Sequence, residues 1–420
     1  MTNPTAPEPG APEAGFATVV YDLVIRGVHV FDGYEALAGA FDVGISGAEI
    51  AAVSNTPLGG TREIDGDGGW LMPGLIDTHV HFFDFRVVRD PASLRGFAEN
   101  TAPSLLENFL RSGVTSIKSV GDPAKAILEL RAKLAEGALR GPRLFVTGNG
   151  ITGRDGHPAS TIFGGNPWFR SYAAGEVDNA QMMRDLVHRL ADQGVNAIKL
   201  LSEGACACAG SPRYLWQNPI FPNAVELTRL STEVLRAGVE ASHERGLRVT
   251  VHTVQQDAAL EALEAGADGL EHGVTVEPIT DPAFVRLMVE RGATYAPTLW
   301  IHDQVHPHTR PNTKLMSDAG VRIVLGSDSF CGRGKFGENS LEEAELMAAA
   351  GMTPQQVLVA ATSSAAKHLE RPDLGVVAPG KRADLVLLSA NPMDSVGALR
   401  SLSLTIQNGQ VVVDNREGVR

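Results

Sequence analysis

Eight short apolar runs, separated by stretches of helical periodicity, constrain this chain more than any other feature. They cover residues 74–81, 114–121, 143–148, 197–204, 248–254, 269–273, 294–299 and 322–329. Runs of this length read as buried strands. The stretches between them, such as Ala224 to Arg245 and Asp257 to Ala265, read as helices. Strands alternating with helices over about 300 residues predict an α/β chain built on a (β/α)8 barrel. Such barrels gather reactive side chains at the C-terminal ends of their strands.

Five of the runs end in residues that suit a metal. In Leu75-Ile76-Asp77-Thr78-His79-Val80-His81, strand alternation puts His79 and His81 on one side, where two imidazoles can chelate one cation. An isolated His-x-His is more often a pair of histidines bonded to backbone carbonyls. Here Lys199, His252, His272 and Asp328 each follow a further apolar run. Singly, each is an ordinary strand-end residue. Together they point to one shared site.

The chain ends read differently. Short strands between glycine turns fill Thr18 to Leu71 and recur from Gly375 onward, where Asn408-Gly409 marks a hairpin. The expected organisation is a small β-sandwich from residues 18–71 plus 375–420, around a barrel of residues 72–374. Residues 1–17, rich in Pro, Ala, Gly and Glu, are expected to be a disordered tail without the features of a secretory signal.

A net charge of −13 without a basic stripe argues against a nucleic-acid partner. No apolar run approaches the ~20 residues of a membrane span. Cys206, Cys208 and Cys331 form no disulfide framework, which favours a reducing, cytoplasmic setting.

With these ligand positions in place, and with Leu374-Gly375-Val376-Val377-Ala378-Pro379-Gly380-Lys381-Arg382-Ala383-Asp384-Leu385-Val386 leading back into the small domain, the chain resembles the amidohydrolase superfamily from about Tyr21 to Val413. It is most similar to the Xaa-Pro dipeptidase-like and imidazolonepropionase-like branch. The resemblance implies a binuclear zinc hydrolase with a small-molecule substrate, assembled as a homo-oligomer. It implies metal ligation by His79, His81, Lys199, His252, His272 and Asp328. Lys199 matches a lysine that CO₂ converts to a bridging carbamate, since an ammonium is no ligand. One metal would take His79, His81, Lys199 and Asp328; the other would take Lys199, His252 and His272. Asp328 would carry the proton from water to the leaving amine.

Loop residues supply the remaining expectations. His157, in Gly156-His157-Pro158, reads either as a catalytic contact to the substrate carbonyl or carboxylate or as a packing histidine. Arg154 and Arg213 are expected to meet a substrate carboxylate. Trp216, with Trp168, Phe169, Phe221 and Trp300, is expected to cover an apolar group. His302 is expected to face the pocket, unlike His306 and His308. Leu230 stands where dipeptidase relatives carry a tyrosine, which favours N-acyl amino acids, aryl amides, carbamates or ureas over Xaa-Pro dipeptides. An Xaa-Pro-type dipeptidase, a mononuclear cyclic-amide hydrolase or deaminase, and a scaffold without metal are the alternatives; Lys199 separates the mononuclear enzymes, and the complete ligand set speaks against the scaffold.

Overall fold

The computed structural model describes residues 20–203, 228–303, 306–330 and 334–416. The expected N-terminal tail, Arg213, Trp216, Phe221 and all three cysteines lie outside the described residues.

The barrel strands are Leu75–His81, Val114–Gly121, Arg143–Gly153, Ala197–Leu201, Arg248–His252, Gly269–Glu271 and Thr294–Ala296, paired in parallel in that order. The eighth staggers across the closure. Its start, Arg322–Ile323, pairs with the seventh strand, and its end, Ser329–Phe330, pairs with the first. Between them, the Thr78 N–H donates to the Leu325 carbonyl and the Asp328 N–H to the His79 carbonyl. Parallel strands buried on both faces explain why apolar residues recur in each of these short runs.

Helices cover the barrel with apolar stripes. In Ala180–Asp192 the stripe is Met183, Val187 and Leu190, and the Asn179 side chain caps the first turn. Of the helix expected over Ala224 to Arg245, residues 224–227 lie outside the described residues; the described helix runs Thr232–Glu244, and the Ser231 side chain accepts the Val234 N–H at its start. Among the described residues, no helix is long and apolar enough to cross a membrane.

The chain ends form a second sheet around the long strand Val20–Val30. It pairs with Phe41–Ser46, with Gly59–Asp65 and, at its end, with Trp70–Pro73. Trp70–Pro73 also pairs with Leu385–Leu388, which leads to the hairpin Leu402–Gln407 and Gln410–Asp414. Asn408 and Gly409 have φ of 50° and 75°, as a type I′ turn requires. Ile25, Ile45, Leu71, Leu385 and Leu404 share one separate core. Gly59–Asp65 escapes sequence reading because most of its side chains are exposed or half-buried.

Trp70–Pro73 passes through Gly74 straight into the first barrel strand. A Cβ at Gly74 would lie 2.3 Å from the Thr115 side chain, so only glycine lets the strand continue here. The small sheet thereby anchors the strand that carries His79 and His81.

Candidate metal centre

The strand-end residues converge. The rings of His79 and His81 lie 5.3 Å apart, and those of His79 and His272 lie 4.9 Å apart. Asp328 sits among them. Its Oδ1 is 3.1 Å from His81 Nε2 and 3.5 Å from His79 Nε2, and its Oδ2 is 3.7 Å from His272 Nδ1. The turn that presents Asp328 is held from below by Asp77, which accepts from the Ser327 N–H, the Ser327 hydroxyl and the Ser340 hydroxyl.

The backbone is strained where these side chains emerge. His272, Thr298 and Asp328 have φ of 67°, 47° and 52°, a region rarely used by residues with a Cβ. Strand alternation alone would put Glu271 and His272 on opposite faces. At His272 the left-handed turn brings the ring to 4.5 Å from that of His252 and 4.9 Å from that of His302. Gly273 continues the turn at φ 69°, and a Cβ there would lie 2.0 Å from the Tyr295 ring. Gly273→Ala should therefore cost about 2–4 kcal/mol, from the left-handed backbone and from overpacking. Urea denaturation measures this; a loss below about 0.5 kcal/mol would show that Tyr295 yields freely.

A second constellation lies across the mouth. Glu203, two residues beyond the fourth strand, places Oε2 2.7 Å from His252 Nε2 and 3.8 Å from His157 Nδ1. The His157 and His252 rings are 4.6 Å apart, and His157 Nδ1 is 2.8 Å from the Thr161 hydroxyl. Donor atoms thus cluster as His79 with His81 and Asp328, as His272 with His302 and Asp328, and as His157 with Glu203 and His252. Two atoms mark the centre: among the described residues, His79 Nε2 and Lys199 Nζ are buried without a hydrogen-bond partner.

Electrostatics favour ligation. Burial pushes His79 and His157 down to about 4 and His302 to about 3, and drives His252 and His272 well below the ordinary imidazole value. All are neutral at pH 7, the form that binds metal. Burial alone would raise Asp328, but His79 and His81 outweigh it and hold the carboxylate ionised. Burial lowers Lys199 to about 8. Neutral imidazoles, an anionic aspartate and an orphaned Nε2 fit a divalent metal.

Other sequence expectations fare unequally. His157 and His302 line the cavity at this centre, with Phe169. Arg154 does not; its guanidinium pairs with Asp178 on the surface. Trp168 stacks on Tyr172, and the Trp300 indole donates to Glu342; neither lines the cavity. Leu230 packs into the barrel core rather than the cavity wall, so its identity carries no information about substrate contacts. Sequence reading places Glu203 in a loop over the barrel mouth but gives no ligand or positioning role to Glu203, Glu271 or Lys118. Glu203 and Glu271 sit close to predicted ligands, which was the available signal.

The match to the amidohydrolase family model spans residues 70–414. An uncharacterized protein of Mycobacterium tuberculosis (strain ATCC 25618 / H37Rv) is 26% identical over 385 residues, covering 85% of this chain and 89% of its own. The imidazolonepropionase of Streptomyces coelicolor is 25% identical over 353 residues, covering 78% of this chain and 80% of its own. A crystal structure of a Xaa-Pro dipeptidase with methionine in its active site superposes with a TM-score of 0.76 at 23% identity, covering 93% of this chain and 99% of that one. The converging strand ends and the family match give one conclusion: this chain belongs to the amidohydrolase family, whose members are metal-dependent.

Proposed function

We propose that this hydrolase of C–N bonds acts on amides, carbamates or ureas that carry an apolar, preferably aryl, group. The observation behind this reading is the position of Asp328 among neutral imidazoles in an apolar cavity of about 190 Å³. Phe83, Phe85, Phe163, Phe169 and Phe330 supply its apolar wall. Among the described lining residues, Lys199 is the one Lys or Arg; Arg213 lies outside the described residues.

His79, His81, His252, His272 and Asp328, with Lys199 as a carbamate, would hold two zinc ions. Bound divalent metal supplies Lewis acidity and brings the pKa of water from about 15.7 toward 7. The chain's own groups do the rest. The phenylalanines seat the apolar group and exclude water. His157 or His302 meets the carbonyl oxygen. The Asp328 carboxylate accepts a proton from the attacking water and returns it to the leaving nitrogen. The likeness to imidazolonepropionase favours a second reading, hydrolysis of a cyclic amide.

The test is a substrate panel with zinc-loaded protein. Burying an aryl group here is worth about 1.5–3 kcal/mol, or roughly 10- to 150-fold in kcat/KM. Aryl amides, carbamates or ureas should lead Xaa-Pro dipeptides by that margin. Faster turnover of dipeptides would reject the substrate class, and a lead for cyclic amides would favour the second reading.

A further inference from the structure

Beneath the centre, five buried polar groups form one continuous chain across the barrel. Glu271 is 1% exposed and Lys118 also 1%, which is costly for two charges. Glu271 Oε1 accepts from Lys118 Nζ at 2.9 Å, and its Oε2 lies 2.7 Å from His79 Nδ1. On its other side, Lys118 Nζ is 2.6 Å from His368 Nε2. His368 Nδ1 is 2.9 Å from the Thr294 hydroxyl, which faces the Asp268 carbonyl at 3.4 Å.

The proton positions follow from chemistry. An ammonium only donates, so His368 Nε2 accepts and its Nδ1 carries the hydrogen. An ionised carboxylate only accepts, so His79 also carries its hydrogen on Nδ1. That leaves the His79 Nε2 lone pair facing Asp328, on the atom that has no hydrogen-bond partner.

We infer that Lys118, Glu271 and His368 are positioning residues that fix the tautomer and aim of His79, and so set the metal affinity of the centre. Lys118 holds the Glu271 carboxylate in place, and His368 holds Lys118. A trio of apolar side chains would fill the same space without desolvating two charges. The polar trio does what the apolar one cannot: it leaves His79 one orientation and one free nitrogen. Outer partners of ligating histidines typically govern 10- to 100-fold in metal affinity.

This inference rests on reading the centre as a metal site, and the tests separate the two. The first needs no variant. In metal-free, ¹⁵N-histidine-labelled protein, His79, assigned by its loss in His79→Asn, should show the Nδ1–H tautomer by NMR. An Nε2–H tautomer would overturn the clamp. The second is zinc affinity by chelator competition. Lys118→Met with Glu271→Leu, which removes both charges together, should weaken zinc binding 10- to 100-fold. Lys118→Arg, which keeps the ion pair, should stay within about threefold of wild type. Leu130→Ala, a core truncation in the helical layer, controls for general destabilisation. Equal affinity in wild type and the double variant, or an equal loss in Leu130→Ala, would reject the positioning role. A wild type that binds no zinc would instead reject the metal reading, while the tautomer measurement still decides the clamp.

Discussion

Asp328→Asn should lower kcat by roughly 10²- to 10⁴-fold, the usual contribution of a positioned proton carrier. The substitution keeps shape and removes charge. Asp328 lies within 3.1–3.7 Å of His81, His79 and His272, and burial keeps His79 and His272 neutral. In the wild type its carboxylate is ionised and can accept a proton from water. An amide offers an acceptor oxygen but takes no proton at neutral pH. Metal content by elemental analysis separates two outcomes. If zinc is retained and kcat collapses, the proton role stands. If zinc is retained and kcat falls less than about tenfold, Asp328 is a ligand only and another group carries the proton. Loss of zinc with loss of activity would show that ligation dominates.

What the sequence makes legible here follows from the physics of parallel strands. Strands buried on both faces give apolar-rich runs, and ligand-type residues toward their C-terminal ends stand out against them. His79, His81, Lys199, His252, His272 and Asp328 are visible for that reason. What stays hidden depends on closure or on backbone geometry. Lys118 sits mid-strand between Ile117 and Ser119, and its partner Glu271 is 153 positions away. Nothing local announces that pair. Glu271 reads as a strand residue because the left-handed turn at His272 has no signal except the following glycine. Arg154 misleads for a related reason. An inserted strand, Ala174–Val177, pairs alongside Gly150–Gly153 and brings Asp178 to the guanidinium. A cation after a barrel strand reads as a substrate contact until that insertion is known.

Lys199 makes the largest demand on explanation. It is 2% exposed, and its Nζ has no hydrogen-bond partner among the described residues. Burying an amine without an acceptor costs on the order of 1–3 kcal/mol, so structure alone gives it no purpose. Carboxylation, as proposed above, would resolve this. The neutral amine attacks CO₂ and loses a proton, and the product is an anion with two oxygens to share between cations. The reaction needs the free base. With its value lowered to about 8, roughly a quarter of Lys199 is neutral at pH 7.5, against about one in a thousand for an ordinary lysine. Lys199→Met, which keeps the volume, should therefore act in opposite directions on the two states. Metal-free protein should melt no lower than wild type, since an unpartnered amine is gone. Metal-loaded protein should bind at least one fewer zinc and lose most of its activity, with partial recovery in acetate or propionate. Native mass spectrometry of loaded wild type should show one added CO₂ per chain, absent in the variant. A variant that keeps full zinc and full turnover, or a loaded wild type of unmodified mass, would mean that Lys199 does not bridge the centre.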